Sequence, residues 1–160
     1  MTKAVVGVFT SEERAKEAIN ELKRYGFERE ISLVAKETRE GEGADEEMTM
    51  EEGQNLGEGV ATGGALGGIA GILAGAGALF IPGVGPIIAA GPLASFLTGL
   101  VGGGLVGGLV DFGIPEERGE YYEERVKQGD ILVTIKANED EVSRISEVFR
   151  QYGAEEVNSY

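Results

Sequence analysis

Between Gly59 and Val110 the chain runs for 52 residues without one Asp, Glu, Lys or Arg. No other feature restricts the fold as tightly. A segment this long and this free of charge has to be buried, and the candidates are lipid, a homo-oligomeric core, or both. Gly and Ala fill 26 of the 52 positions, and Leu, Ile and Val fill another 18. The run is therefore apolar without being bulky. A flexible linker would carry Ser and charge where this segment carries Leu, Ile and Val.

The run breaks at Ile81-Pro82-Gly83-Val84-Gly85-Pro86, where two prolines and two glycines cannot continue a helix. Each arm then holds roughly 22–24 residues, close to the ~20 that span a bilayer core. The expectation is a helical hairpin over 59–110 with its turn at Pro82, Gly83, Gly85 and Pro86. Small residues recur every fourth position: Gly63, Gly67, Gly71 and Gly75 in the first arm, then Gly91, Ser95, Gly99, Gly103 and Gly107 in the second. That spacing places them on one helical ridge, where two backbones can approach closely. These nine are the expected helix-packing and assembly residues of a glycine zipper. Length and absence of charge favour lipid. The flanking Glu58 and Asp111, the absence of Trp, and the ~1 kcal/mol cost of each helical Gly favour close protein partners.

The flanks read as ordinary soluble protein. Lys3–Phe9 is a β run, and Thr10 with Glu13 suggests a capping box that opens a helix closed by Gly26. Ile31–Ala35 is a second strand. After the insertion come a helix from Pro115 through Tyr121, Tyr122 and Val126, a strand at Ile131–Ile135, a helix capped by Asn138 and Glu141, and a short edge strand at Glu156–Tyr160. The two flanks echo each other: Ala15, Ala18, Leu22 and Tyr25 match Val142, Ile145, Phe149 and Tyr152 in spacing, and each helix ends in Tyr-Gly. Two βαβ units of this size make an α+β, ferredoxin-like βαββαβ sandwich, here interrupted by the Gly/Ala-rich hairpin. The domains are then 1–36 and 111–160 as its two halves, 37–58 as an acidic tether, and 59–110 as the insertion. Glu46, Glu47, Glu51 and Glu52 in the tether lack EF-hand spacing and read as solvated.

Composition removes many functions. The chain has no Cys and no His, which excludes disulfides, thiolate or imidazole metal sites, and histidine acid–base chemistry. A formal net charge of −14 repels nucleic acid. The glycine runs lack the strand–loop–helix context of a nucleotide-binding loop. No catalytic, cofactor or metal residue is expected, and the partners expected are the chain itself and membrane lipid. The run at residue 59 is no secretory signal, so the expected location is cytoplasmic, with membrane association on the cytoplasmic side left open.

Three stretches carry a resemblance. VVGVFTSEERAKEAINELKRYGF, the central GGALGGIAGILAGAGALFIPGVGPIIAAGPLASFLTGLVGGGLVGGLV, and FGIPEERGEYYEERVKQGDILVTI resemble bacterial general stress proteins of the heat-induced stress protein domain family. IPGVGP, AAGPLA and the YYEERVKQGDILV stretch are the most specific parts. The resemblance implies a stress-associated glycine-zipper or membrane-associated protein and supplies no catalytic residues. The functional expectation is a non-enzymatic structural protein that self-assembles, associates with membrane, or both. The alternative is a small-molecule-binding or regulatory ferredoxin-like module. Against that alternative, Tyr121, Tyr122 and Tyr152 sit at helical spacing and read as core or interface.

Overall fold

A computed structural model describes residues 2–36, 77–81, 84–98 and 104–160. In chain order these form β1 (Thr2–Phe9), α1 (Glu12–Arg24), β2 (Ile31–Lys36), β3 (Gly77–Ile81), β4 (Gly85–Ala90), α2 (Pro92–Thr98), α3 (Gly104–Phe112), α4 (Glu116–Lys127), β5 (Ile131–Asn138), α5 (Glu139–Gln151) and β6 (Glu156–Ser159). The six strands make one sheet in the order β3-β4-β2-β5-β1-β6, and every neighbouring pair is antiparallel.

Antiparallel strands with one wet face alternate apolar and polar residues. The inner strands here do not alternate. From Ala4 to Phe9, Ile31 to Ala35 and Ile131 to Ile135 every residue is buried, because helices cover both faces. On the first face α1 brings Ala15, Ala18, Ile19 and Leu22, and α5 brings Ile145, Val148 and Phe149. They pack on Val5, Phe9, Leu33, Val133 and Ile135. On the second face Leu93 and Leu97 of α2, Leu105, Leu109 and Phe112 of α3, and Tyr122 and Val126 of α4 cover Val6, Val8, Val34, Ile87 and Leu132.

The helix ends follow local chemistry. Ser11, one residue later than the sequence suggested, is the N-cap of α1 and accepts from the Arg14 amide. The Asn138–Glu141 capping box is present at α5, with the Asn138 amide donating to the Glu141 carboxylate at 3.1 Å.

The insertion differs from the expected helical hairpin in both arms: residues 77–81 of the first, expected as helix, are strand β3, and the second departs further. The chain does reverse at Ile81–Gly85, where the Val84 amide donates to the Ile81 carbonyl, but the reversal joins two strands. Residues 85–90, expected as helix, are strand β4, paired from Ile87 to Ala90 with β2. Local chemistry permits it: Pro86 has no amide to give a helix, and Ile87 and Ile88 are β-branched. The exposed edge of β2 supplies their backbone partners. Helix begins only at Pro92, a favoured first helical residue. The described remainder of the arm holds α2 and α3. The first arm, through residue 76, and the acidic tether lie outside the described residues.

Candidate functional site

Of the nine expected zipper positions, Gly63, Gly67, Gly71, Gly75, Gly99 and Gly103 lie outside the described residues, as do Pro82 and Gly83 of the turn. The other three do not share a ridge. Gly91 is the corner between β4 and α2, with φ +83°, and a Cβ there would sit 2.1 Å from the Ile31 carbonyl oxygen. Only glycine fits that corner. Ser95 lies on α2 and Gly107 on α3. Close helix packing falls instead to Gly108, which doubles the expected series, and to Gly119 of α4, outside the insertion. A Cβ at Gly108 would meet Leu97 of α2 at 2.4 Å, and one at Gly119 of α4 would meet Val106 of α3 at 3.3 Å. Small residues do let backbones approach here, and the helices that meet are α2, α3 and α4 in one chain.

Much of the described apolar surface of the insertion is therefore buried against its own sheet. One part is not. β3 is the outermost strand, bonded on one side to β4, and among the described residues nothing pairs its other side. Its sequence is GALFI, with no charge and no proline. Phe80 stands 73% exposed on it. Natural sheet edges are usually blunted by Lys, Pro, bulges or brevity, since an open apolar edge is a template for another strand. At the opposite edge β6 is four residues long and carries Glu156.

The second concentration of chemistry joins α4 to β6. Arg118, Tyr121, Tyr122 and Arg125 recur at i, i+3, i+4 and i+7, one face of α4. Arg118 donates to the Tyr160 hydroxyl at 2.8 Å and pairs with the Glu156 carboxylate. Arg125 donates to Glu155 at 2.9 Å and pairs with Asp130. Tyr121 donates to Glu156 at 2.7 Å and accepts from Arg125 at 2.9 Å. Asn158 donates to Glu156 at 2.8 Å, and the Tyr122 and Tyr160 hydroxyls lie 2.7 Å apart. The Arg118 guanidinium also covers the Tyr121 ring, 4.5 Å from its centre.

Burial, reinforced by the hydrogen bond with Tyr160, pushes the Tyr122 phenol well above the ordinary tyrosine range. Tyr122 is thus a neutral, fully buried hydrogen-bonding group at physiological pH. At Glu156 burial pushes the carboxyl upward, but the Tyr121 hydrogen bond and the Arg118 charge outweigh it and hold the group below the usual carboxylate range. The acids and bases of this cluster satisfy one another. That arrangement holds a strand on the sheet.

The chain matches no protein-family model, no curated protein and no solved structure. Among the described residues no helix is long and apolar enough to cross a membrane, and no group of His, Cys, Asp and Glu could hold a metal ion. Sequence reasoning placed Tyr121 and Tyr122 as core or interface, and both pack in this cluster. It passed over Arg118 and Arg125, although their i, i+7 spacing around two tyrosines was a visible signal. It also passed over Phe80, which a helical reading of its segment hides.

Proposed function

We propose that this is a non-enzymatic, stress-associated structural protein that self-associates through its uncharged insertion, with the edge of β3 as the contact. The observation that carries the reading is Phe80, 73% exposed on an uncharged edge strand in a chain of formal charge −14. Two such chains repel across most of their surface, since every ionisable side chain lies outside 59–110. Along β3 they meet without facing carboxylates. A strand edge is self-complementary when two copies pair antiparallel about a two-fold axis.

The flanks fit a ferredoxin-like reading of 1–36 and 111–160, supported by the order β2-β5-β1-β6 with α1 and α5 on one face. In that reading the insertion widens the sheet by β3 and β4 and adds a second helical layer. Sedimentation velocity of the wild type against Phe80→Lys tests the proposal. Concentration-dependent association of the wild type, lost in the variant, supports it; a wild type that stays monomeric at high concentration overturns it. Lipid is the competing cover for the same surface, and flotation of the wild type with vesicles separates the two.

A further inference from the structure

β6 is held on the sheet in an unusual way. Every other strand contributes at least one buried side chain, whereas none of residues 155–160 is buried. Val157 is the one aliphatic side chain of this stretch, and it is only partly covered. What holds the segment is a backbone ladder on β1, from Glu155 amide to Val8 carbonyl at 2.7 Å through the Ala4–Tyr160 pair at 2.9 Å, together with the α4 cluster. That cluster is charge-complementary to its occupant: Arg118 and Arg125 on α4 face Glu156 and Glu155 on the strand. Asp130 shares Arg125, while Tyr121, Tyr122, Asn158 and Tyr160 complete the contacts.

A strand bound by its backbone and by terminal charges is recognised the same way whichever chain it belongs to. The connection supports this. α5 ends at Gln151, and Gly153 then takes φ +91° to turn the chain toward β6. Residues 154–160 thus follow a glycine-closed helix end, with the Ala154 amide donating to the Phe149 carbonyl at 2.9 Å, and they seat on β1.

We propose that the α4 stripe and the β1 edge form an acceptor site for an acidic strand, filled in cis by residues 154–160 and exchangeable for the same residues of a second copy. This inference is independent of the β3 contact. It predicts exchange of β6 between chains once the ion pairs are weakened by salt.

The absence of native cysteine gives a direct test. Val5 and Ser159 are register partners, so one full-length chain carries Val5→Cys and another carries Ser159→Cys. The two are mixed, passed through a high-salt step, returned to low salt and oxidised. A single chain with both substitutions serves as the control and should close an internal disulfide; if it does not, a short bifunctional thiol cross-linker replaces oxidation in every sample. Exchange gives a mixed disulfide between the two chains. Placing Arg118→Met in both chains should raise the yield obtained at low salt without the high-salt step by on the order of tenfold, because the contact that salt weakens in the wild type is already gone. A control that closes in cis, with no mixed disulfide between chains after the salt step, overturns the proposal. So does a low-salt exchange yield that Arg118→Met leaves unchanged, because the α4 stripe would then have no part in holding the strand.

Discussion

Gly108 of α3 lies directly beneath Leu97 of α2: a Cβ at position 108 would come within 2.4 Å of Leu97 Cδ2 and 3.3 Å of its Cγ. This contact fastens two short helices of the insertion to each other over the sheet. Gly108→Ala gains about 1 kcal/mol of helix propensity but incurs overpacking of about 1–3 kcal/mol. A net loss of about 1 kcal/mol is expected. Leu97→Ala alone should cost about 2–5 kcal/mol. The double variant should be more stable than the sum of the two losses, because each change relieves the other. Denaturant unfolding of the four proteins measures this coupling, and strict additivity would deny the contact.

Ser32 of β2 and Thr134 of β5 are cross-strand partners, both fully buried, with opposite circumstances. Ser32 Oγ accepts from the Leu93 amide at 2.9 Å and so anchors the start of α2. Thr134 Oγ1 has no partner among the described residues. A buried hydroxyl without a partner costs stability. Thr134→Val keeps the shape and should stabilise by about 1 kcal/mol, while Ser32→Ala should destabilise by about 1–3 kcal/mol. Thermal melts of both variants decide whether the signs differ.

Gly91→Ala should be far more damaging than Gly108→Ala. At Gly91 the obstacle is backbone: the Ile31 carbonyl oxygen at 2.1 Å, together with φ +83°. No rotamer change relieves it, so a loss of about 3 kcal/mol or more is expected. Equal tolerance of both substitutions in chemical denaturation would contradict the β4–α2 corner.

Glu156 carries a prediction in pH. Its folded carboxyl titrates below its unfolded value, so its contribution is complete above the unfolded pKa of about 4.3 and is lost as pH falls through the lower folded value. Melting temperature should therefore drop on acidification below about pH 4, and Glu156→Gln should flatten part of that drop. The gap between wild type and variant should close toward acid. A gap that widens toward acid would mean the carboxylate is not stabilised by Tyr121 and Arg118.

The flanks were legible because their signals are local. The capping signal at Thr10–Ser11 and Asn138, glycines after α1 and α5, and largely apolar runs in β1, β2 and β5 all act within a few residues. The insertion was harder because a fully buried strand and a buried helical segment look alike when no polar residue sets a period. Gly91 and Ser95 keep the four-residue spacing of a helical ridge, yet Gly91 is needed for a corner that Ile31, sixty residues away in sequence, makes tight. The turn at Ile81–Pro86 was readable from Pro and Gly; whether strands or helices leave it depends on the free edge of β2. The α4 cluster needed the strand order as well, since Arg118 and Glu156 meet only when β6 pairs with β1.

The measurement that bears most directly on the account is sedimentation velocity of the full chain over a wide concentration range, beside Phe80→Lys and the control Tyr25→Lys at another exposed aromatic. The account predicts association of the wild type and of the Tyr25 variant, with the Phe80 variant reduced to a 16.8 kDa monomer. Association that survives Phe80→Lys unchanged, or a wild type that remains monomeric throughout, would contradict it.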